Sequence, residues 1–275
     1  MRTPFGSRLA DLVAARGSLC AGIDPHPSLL HRWGLPDDAA GLTRFALACV
    51  DAFAGEVAVV KPQSAFFERH GSAGVAVLER VIAAARAAGA LVLLDAKRGD
   101  IGSTMAAYAD AYLTEGSPVA ADAVTVSPYL GFGSLRPAID AALASGRGVF
   151  VLAMTSNPEG SGVQRATTTA GRTVAQSIVD AAAEHNAGAK PIGSIGVVIG
   201  ATVRHPGLDL SALNGPILAP GFGAQGATAS DLRAVFGPGP RFVLPSSSRA
   251  LLEQGPSIGA MRTAVRRVQD ELAAA

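Results

Sequence analysis

Four charged residues in two short runs can do acid–base chemistry. Lys61 ends the apolar run VAVVK, while Asp95, Lys97 and Asp100 lie in DAKRGD, at and just beyond the end of ALVLLD. If both runs are β-strands, Asp95 and Lys97 are two residues apart and project to the same side. Lys61 on the neighbouring strand and Asp100 in the following loop then complete an alternating Lys–Asp–Lys–Asp cluster. Such a cluster keeps its charges because each member has an opposite neighbour; at an effective dielectric near 20, a contact at about 4 Å gains roughly 4 kcal/mol before desolvation. A lone Asp-x-Lys would read as a solvated loop, and it is Lys61 that weakens that reading. Arg98 points away from Lys97 and is expected to be a surface or structural charge.

The elements that must position these residues follow a repeat of a short apolar run, a turn and an Ala-rich helical stretch. The runs are 19–24, 57–61, 90–95, 122–127, 148–155, 194–200, 216–221 and 241–245. Each is continuously apolar, as parallel strands covered on both faces are. Amphipathic helical patterns occupy 41–53, 75–88, 103–113, 134–144, 170–185 and 257–273, with a short N-terminal helix before the first strand. Gly89, Gly116 and Gly146 stand where helices should stop. Eight strands alternating with helices predict an α/β fold, a (β/α)8 TIM barrel, as a single domain over 1–275. A doubly wound sheet is the competing architecture; eight evenly spread units favour closure.

In a barrel the site lies at the C-terminal strand ends. The polar residues there are Asp24, Lys61, Asp95, Lys97, Asp100, Ser127, Gln225 and Arg249. Gly221-Phe-Gly223-Ala-Gln225-Gly226 satisfies G-x-G-x-x-G, but at the seventh strand, with no following βαβ unit or ribose-binding acid, it is weak as a dinucleotide fingerprint. The loops after strands seven and eight of a barrel commonly hold phosphate through backbone N–H groups. Arg249 can add a charge-assisted contact. His26, beside Asp24, is a loop histidine near the same rim.

Composition narrows the partners. The 275 residues carry 23 Lys and Arg against 22 Asp and Glu, a net charge of +1, which argues against nucleic acid or an anionic membrane as the main partner. Cys20 and Cys49 offer neither a disulfide framework nor metal-ligand spacing, as in a reduced cytosolic protein. The first 17 residues lack the apolar stretch of a signal peptide, and no apolar run is long enough to span a membrane.

Across almost its whole length the chain resembles the orotidine 5'-phosphate decarboxylases, specifically their longer bacterial subgroup (type 2). The resemblance is carried by GIDPHP (22–27), VVKPQSAFFE (59–68), LDAKRGDIGST (94–104), SPYLG (127–131), TSNPEG (155–160) and PGFGAQG (220–226). It implies decarboxylation of orotidine 5'-monophosphate to uridine 5'-monophosphate and CO2 in de novo pyrimidine synthesis, without metal or cofactor. It further implies that Lys97 protonates C6, that Asp95 lies against the substrate carboxylate, and that Lys61 and Asp100 complete the array. Asp24 and Lys61 are expected on ribose hydroxyls, Ser127 on the pyrimidine edge, and Gln225 and Arg249 on phosphate. Asp100, Ile101 and Thr104 are expected to reach the other subunit's site in a cytoplasmic homodimer. Ser247-Ser248-Arg249 departs from the family's commoner Gly-Arg.

Two rivals differ in chemistry. A magnesium-dependent decarboxylase or aldolase of sugar phosphates on the same scaffold would carry an acidic metal ligand where this chain has Lys61, whose charge repels a cation. A catalytically inactive barrel that only binds phospho-ligands would not need the intact set of Lys61, Asp95, Lys97 and Asp100.

Overall fold

The computed structural model describes residues 2–203, 206–223, 226–237 and 242–274. Eight parallel strands close in sequence order into a barrel: β1 Cys20–Ile23, β2 Val59–Pro62, β3 Leu91–Arg98, β4 Ala123–Val126, β5 Gly148–Met154, β6 Ile195–Ile199, β7 Ile217–Pro220 and β8 Val243–Ser247. Every expected strand is present. The largest differences are at β3, which continues past Asp95 to Arg98, and at β8, which continues through Pro245 to Ser247. All six expected helices form as well. The pattern over 170–185 becomes Val174–Asn186, because Gly171 has φ +76° and Thr173 is the N-cap, accepting from Gln176 N at 3.1 Å. Gly89, Gly116 and Gly146 have φ of +83°, +86° and +65°, the conformation their helix-stop positions require.

The period of two along each strand sorts side chains into two cores. One face packs outward against the helices, as Val60, Val92, Leu94, Val124 and Val126 do. The other fills the barrel: Cys20, Val59, Leu91, Leu93, Ala123, Phe150, Val198, Leu218 and Leu244. Two residues further along, the inward positions become Lys61, Asp95, Thr125 and Ser246, all buried. The barrel thus has an apolar floor and a polar upper layer, and the strand direction alone decides which inward residues face the C-terminal rim.

The helix Phe5–Arg16 closes the opposite end. Phe5 and Leu9 are fully buried in the interior core, and the Phe5 ring meets Phe150 edge-on at 5.9 Å. Burying each such side chain contributes roughly 2 kcal/mol. Beside this plug, the buried Asp122 carboxylate pairs with Arg2 and with Arg8 at 2.7 Å, and accepts from Val92 N at 3.0 Å. Burial would raise this carboxyl's pKa; the Val92 N–H and the arginines lower it. No helix among the described residues is long and apolar enough to cross a membrane.

Candidate active site

A cavity of about 430 Å³ opens at the C-terminal ends of the strands. Asp24, Lys61, Asp95, Lys97 and Arg249 border it on one side, and Leu152, Met154, Val198 and Pro220 form an apolar wall. A partly apolar ligand that carries charged groups suits such a lining.

The charged residues form a continuous row. Lys61 Nζ is 3.9 Å from Asp24 Oδ1 and 3.3 Å from Asp95 Oδ2, and Lys97 Nζ is 2.7 Å from Asp95 Oδ1. Lys61 and Asp95 are buried, whereas the Lys97 side chain is 45% exposed. Lys97 is therefore the most exposed lysine of the row at the cavity. Burial alone would raise the Asp95 pKa, but Lys61, Lys97 and the hydrogen bonds from Lys97 and Thr125 hold it at about 2. For Lys61, burial works downward, and Asp24 and Asp95 outweigh it and raise its pKa. Asp24 Oδ1 is buried yet accepts no hydrogen bond from the described residues. Its nearest charged neighbour is Lys61 Nζ, and its acceptor capacity is not used within the chain.

The row differs from the expected one at its ends. Asp24 joins it, and Asp100 does not. Within one chain Asp100 is half-buried, its Oδ1 accepts from Ile101 N at 2.8 Å, and it does not border the cavity. The cause lies in β3. Between Leu94 and Arg98 its register against β4 shifts by a bulge, and Lys97 has φ +48°. The bulge, not regular alternation, brings Lys97 back beside Asp95, and the chain beyond turns outward. Ile101 and Thr104 are exposed at the start of the helix Gly102–Leu113.

Ser127 is also outside the cavity lining; its N–H donates to Arg98 O at 2.7 Å. Thr155, Ser156 and Asn157, at the end of β5, border the cavity instead. The apolar run over 148–155 ends in these polar residues, which is the signal that could have found them. Sequence reasoning also missed Thr125, the inward position of β4 level with Asp95. Arg98 is held away from the cavity by Glu68 and by the rings of Tyr108 and Tyr112, 5.9 and 6.0 Å from its guanidinium carbon.

At the other end, Gly221 and Gly223 have φ of +102° and +76°, and Gly221 and Phe222 border the cavity. Gln225 lies outside the described residues. Arg249 is exposed at the start of the helix Arg249–Leu252, and Ser248 precedes it. Gly22 is required here: a Cβ on it would lie 1.8 Å from Ser248 Oγ and 2.8 Å from Ser248 Cβ. His26 lines the same end, edge-on to Phe66 at 4.2 Å; burial lowers its pKa, opposed by Asp24 and reinforced by Arg249. Among the described residues no group of three or more His, Cys, Asp or Glu side chains could hold a metal ion.

A parallel eight-stranded barrel with a row of paired lysines and aspartates at its C-terminal rim defines an enzyme of the α/β-barrel class. Residues 17–239 match the family Orotidine 5'-phosphate decarboxylase / HUMPS, and the chain belongs to that family. It is 62% identical to an orotidine 5'-phosphate decarboxylase of Salinispora arenicola (strain CNS-205) and 58% identical to one of Streptomyces coelicolor. The first match covers 98% of both chains and the second 98% of this chain and 97% of the other. A crystal structure from Streptomyces avermitilis ma-4680, named as a candidate orotidine 5'-phosphate decarboxylase, is 58% identical. It superposes with a TM-score of 0.96 over 99% of this chain and 96% of the other. The OMP decarboxylase of Leishmania donovani, 29% identical, gives 0.77 over 99% and 98%.

Proposed function

We propose that the protein decarboxylates orotidine 5'-monophosphate to uridine 5'-monophosphate in pyrimidine biosynthesis, as a cytoplasmic homodimer of single-domain barrels needing no cofactor. The observation that carries the residue assignment is Lys97 Nζ, accessible from the cavity and 2.7 Å from the buried, ionised Asp95. When the bond from C6 to the carboxylate breaks, the electron pair stays on C6. The Lys97 ammonium stands beside that carbon, stabilises the growing charge and transfers its proton there as CO2 departs. A charge already in place needs no reorganisation at the moment of reaction. Asp95 faces the substrate carboxylate, and the repulsion between them disappears as neutral CO2 forms.

Lys61 holds Asp95 from behind and, with Asp24, receives the ribose hydroxyls; Asp24 Oδ1, which accepts no hydrogen bond from the described residues, supports that role. Ser127 was expected on the pyrimidine edge, but Thr155 and Ser156 border the cavity and suit that contact better. Arg249 and Gln225 take the phosphate. Binding energy spent there, remote from C6, supports the crowding of charge at the reacting carbon. Asp100, Ile101 and Thr104 serve the partner's site. Ile101, at 61% exposure, stands on the same rim as the exposed Tyr129 and Leu130, an apolar surface suited to a second copy.

The test follows the loss of orotidylate absorbance with purified protein, with and without a chelator. Wild type is expected to be active and insensitive to the chelator. Lys97→Ala should retain uridine 5'-monophosphate binding and lose nearly all turnover; substantial residual turnover would overturn the assignment, and chelator sensitivity would favour the metal-dependent rival.

A further inference from the structure

The bulge in β3 leaves a gap in the sheet directly under the reacting pair. Leu94 is in register with Val124 and Arg98 with Val126, so Asp95, Ala96 and Lys97 all stand opposite one residue, Thr125. In a regular ladder the Lys97 N–H would find a backbone carbonyl. Here it donates to Thr125 Oγ1 at 3.0 Å. The same hydroxyl is 2.8 Å from Asp95 Oδ1, the oxygen that also receives Lys97 Nζ. Proton placement is unambiguous: the peptide N–H can only donate and the ionised carboxylate can only accept, so the hydroxyl accepts from the first and donates to the second. Thr125 is 1% exposed, so water does not substitute for it.

We propose that Thr125 is a positioning residue for decarboxylation, its hydroxyl tying the Asp95 carboxylate to the backbone of Lys97. The proposal rests on the reading of Lys97 and Asp95 as the reacting pair. Lys97 is one of two non-glycine residues with positive φ among the described residues, a conformation that persists only where its surroundings enforce it. The Thr125 hydroxyl supplies that enforcement at the amide, and it orients the carboxylate that in turn directs the ammonium. A β-branched side chain on a buried strand has little rotamer freedom, so the link is stiff. Valine has the same shape without the hydroxyl and cannot make either contact.

The experiment compares Thr125→Val, Thr125→Ser and Lys97→Ala in steady-state decarboxylation of orotidine 5'-monophosphate and in binding of uridine 5'-monophosphate. For Thr125→Val, kcat should fall about 10- to 100-fold, the loss expected for hydrogen bonds to a charged group. Its KM and its product affinity should stay within about threefold, because the phosphate and ribose contacts are untouched. Thr125→Ser keeps the hydroxyl and should stay within about threefold of wild type in kcat. Should the valine variant not fold, Thr125→Ala serves with the same expectation. A kcat unchanged without the hydroxyl, or lost equally in the serine variant, would overturn the proposal while leaving the pair assignment intact. Full turnover by Lys97→Ala would overturn both.

Discussion

Replacing Lys61 by methionine removes one charge from the middle of the row and tests whether the row is a coupled unit. The two contacts, 3.3 Å to Asp95 and 3.9 Å to Asp24, amount to about 5 and 4 kcal/mol of gross attraction at an effective dielectric of 20. Methionine also escapes the several kcal/mol that burying an ammonium costs, so the net loss is much smaller than the sum. What remains is a buried Asp95 with Lys97 alone, and breaking a buried pair in this way costs about 3–5 kcal/mol at neutral pH. In a barrel of this size that lowers Tm by on the order of 10 °C. The pH dependence sharpens the test. In wild type the Asp95 pKa, about 2 against an ordinary 3.8, favours the ionised form by roughly 2 kcal/mol. A depressed carboxylate pKa contributes stability above the unfolded value, and that stability is lost as pH falls through the folded one. Without Lys61 the Asp95 carboxyl loses the larger of the two charges that lower its pKa, so it moves back up and less of this stabilisation remains. The gap between wild type and variant is therefore widest near neutrality and narrows on acidification. Urea unfolding near pH 7.5 and near pH 3, between the unfolded and folded Asp95 values, with kcat/KM measured across the same range, reads both effects. A variant within about 1 kcal/mol of wild type at both pH values, with an unmoved acid limb, would refute the coupling.

Asp122→Asn should destabilise by about 1.5–3 kcal/mol at neutral pH, because the half-buried Arg2 and Arg8 guanidiniums lose their carboxylate at the closed end of the barrel. Since Asp122 also has a lowered pKa, the deficit should shrink in acid, with kcat unchanged throughout; thermal unfolding and steady-state kinetics check both. Gly22→Ala pushes Ser248 aside and with it Arg249, so KM should rise by about tenfold or more, with a smaller change in Tm. Arg249→Ala should lose catalytic efficiency, and added phosphite dianion should partly restore turnover of a substrate lacking the phosphate. Mixing inactive Lys97→Ala with inactive Asp100→Ala under subunit exchange should restore activity at about a quarter of the sites if Asp100 serves its partner's cavity, and none otherwise.

The barrel was legible because parallel strands covered on both faces are apolar throughout, and eight such runs leave few alternatives. Lys61, Asp95 and Lys97 were legible for a related reason: charges that terminate apolar runs must sit at a rim. Parity along regular strands placed Asp95 and Lys97 side by side for an incomplete reason, since local spacing does not reveal a bulge that depends on the register of a neighbouring strand. The absence of Asp100 from its own chain's row has the same origin. Thr125 stayed hidden because a threonine inside DAVTVS looks like an ordinary β-former until its inward direction is known. Ser127 and Thr155–Asn157 all follow apolar runs, and only the closed barrel separates those bordering the cavity from the one that does not. The short helices Pro27–Arg32, Ser64–Glu68 and Arg249–Leu252 lie in loops too brief for periodicity to register.

The barrel's seam lies where its two chain ends meet. β1 pairs with β8 through two register positions, Cys20 with Ser246 and Ala21 with Ser247, as β2 does with β3 and β6 with β7, and the cavity residues Asp24 and Arg249 stand just beyond the seam strands. On the proposed assignment, a nucleotide held by its ribose at Asp24 and its phosphate at Arg249 would work as a clasp between the first strand made and the last. Opening the barrel at this join then requires release of the ligand, so occupancy should slow amide exchange at Ala21 and Ser247 more than at strands on the far side. In the growing cell, newly finished chains would gain their resistance to proteolysis from the compound they process.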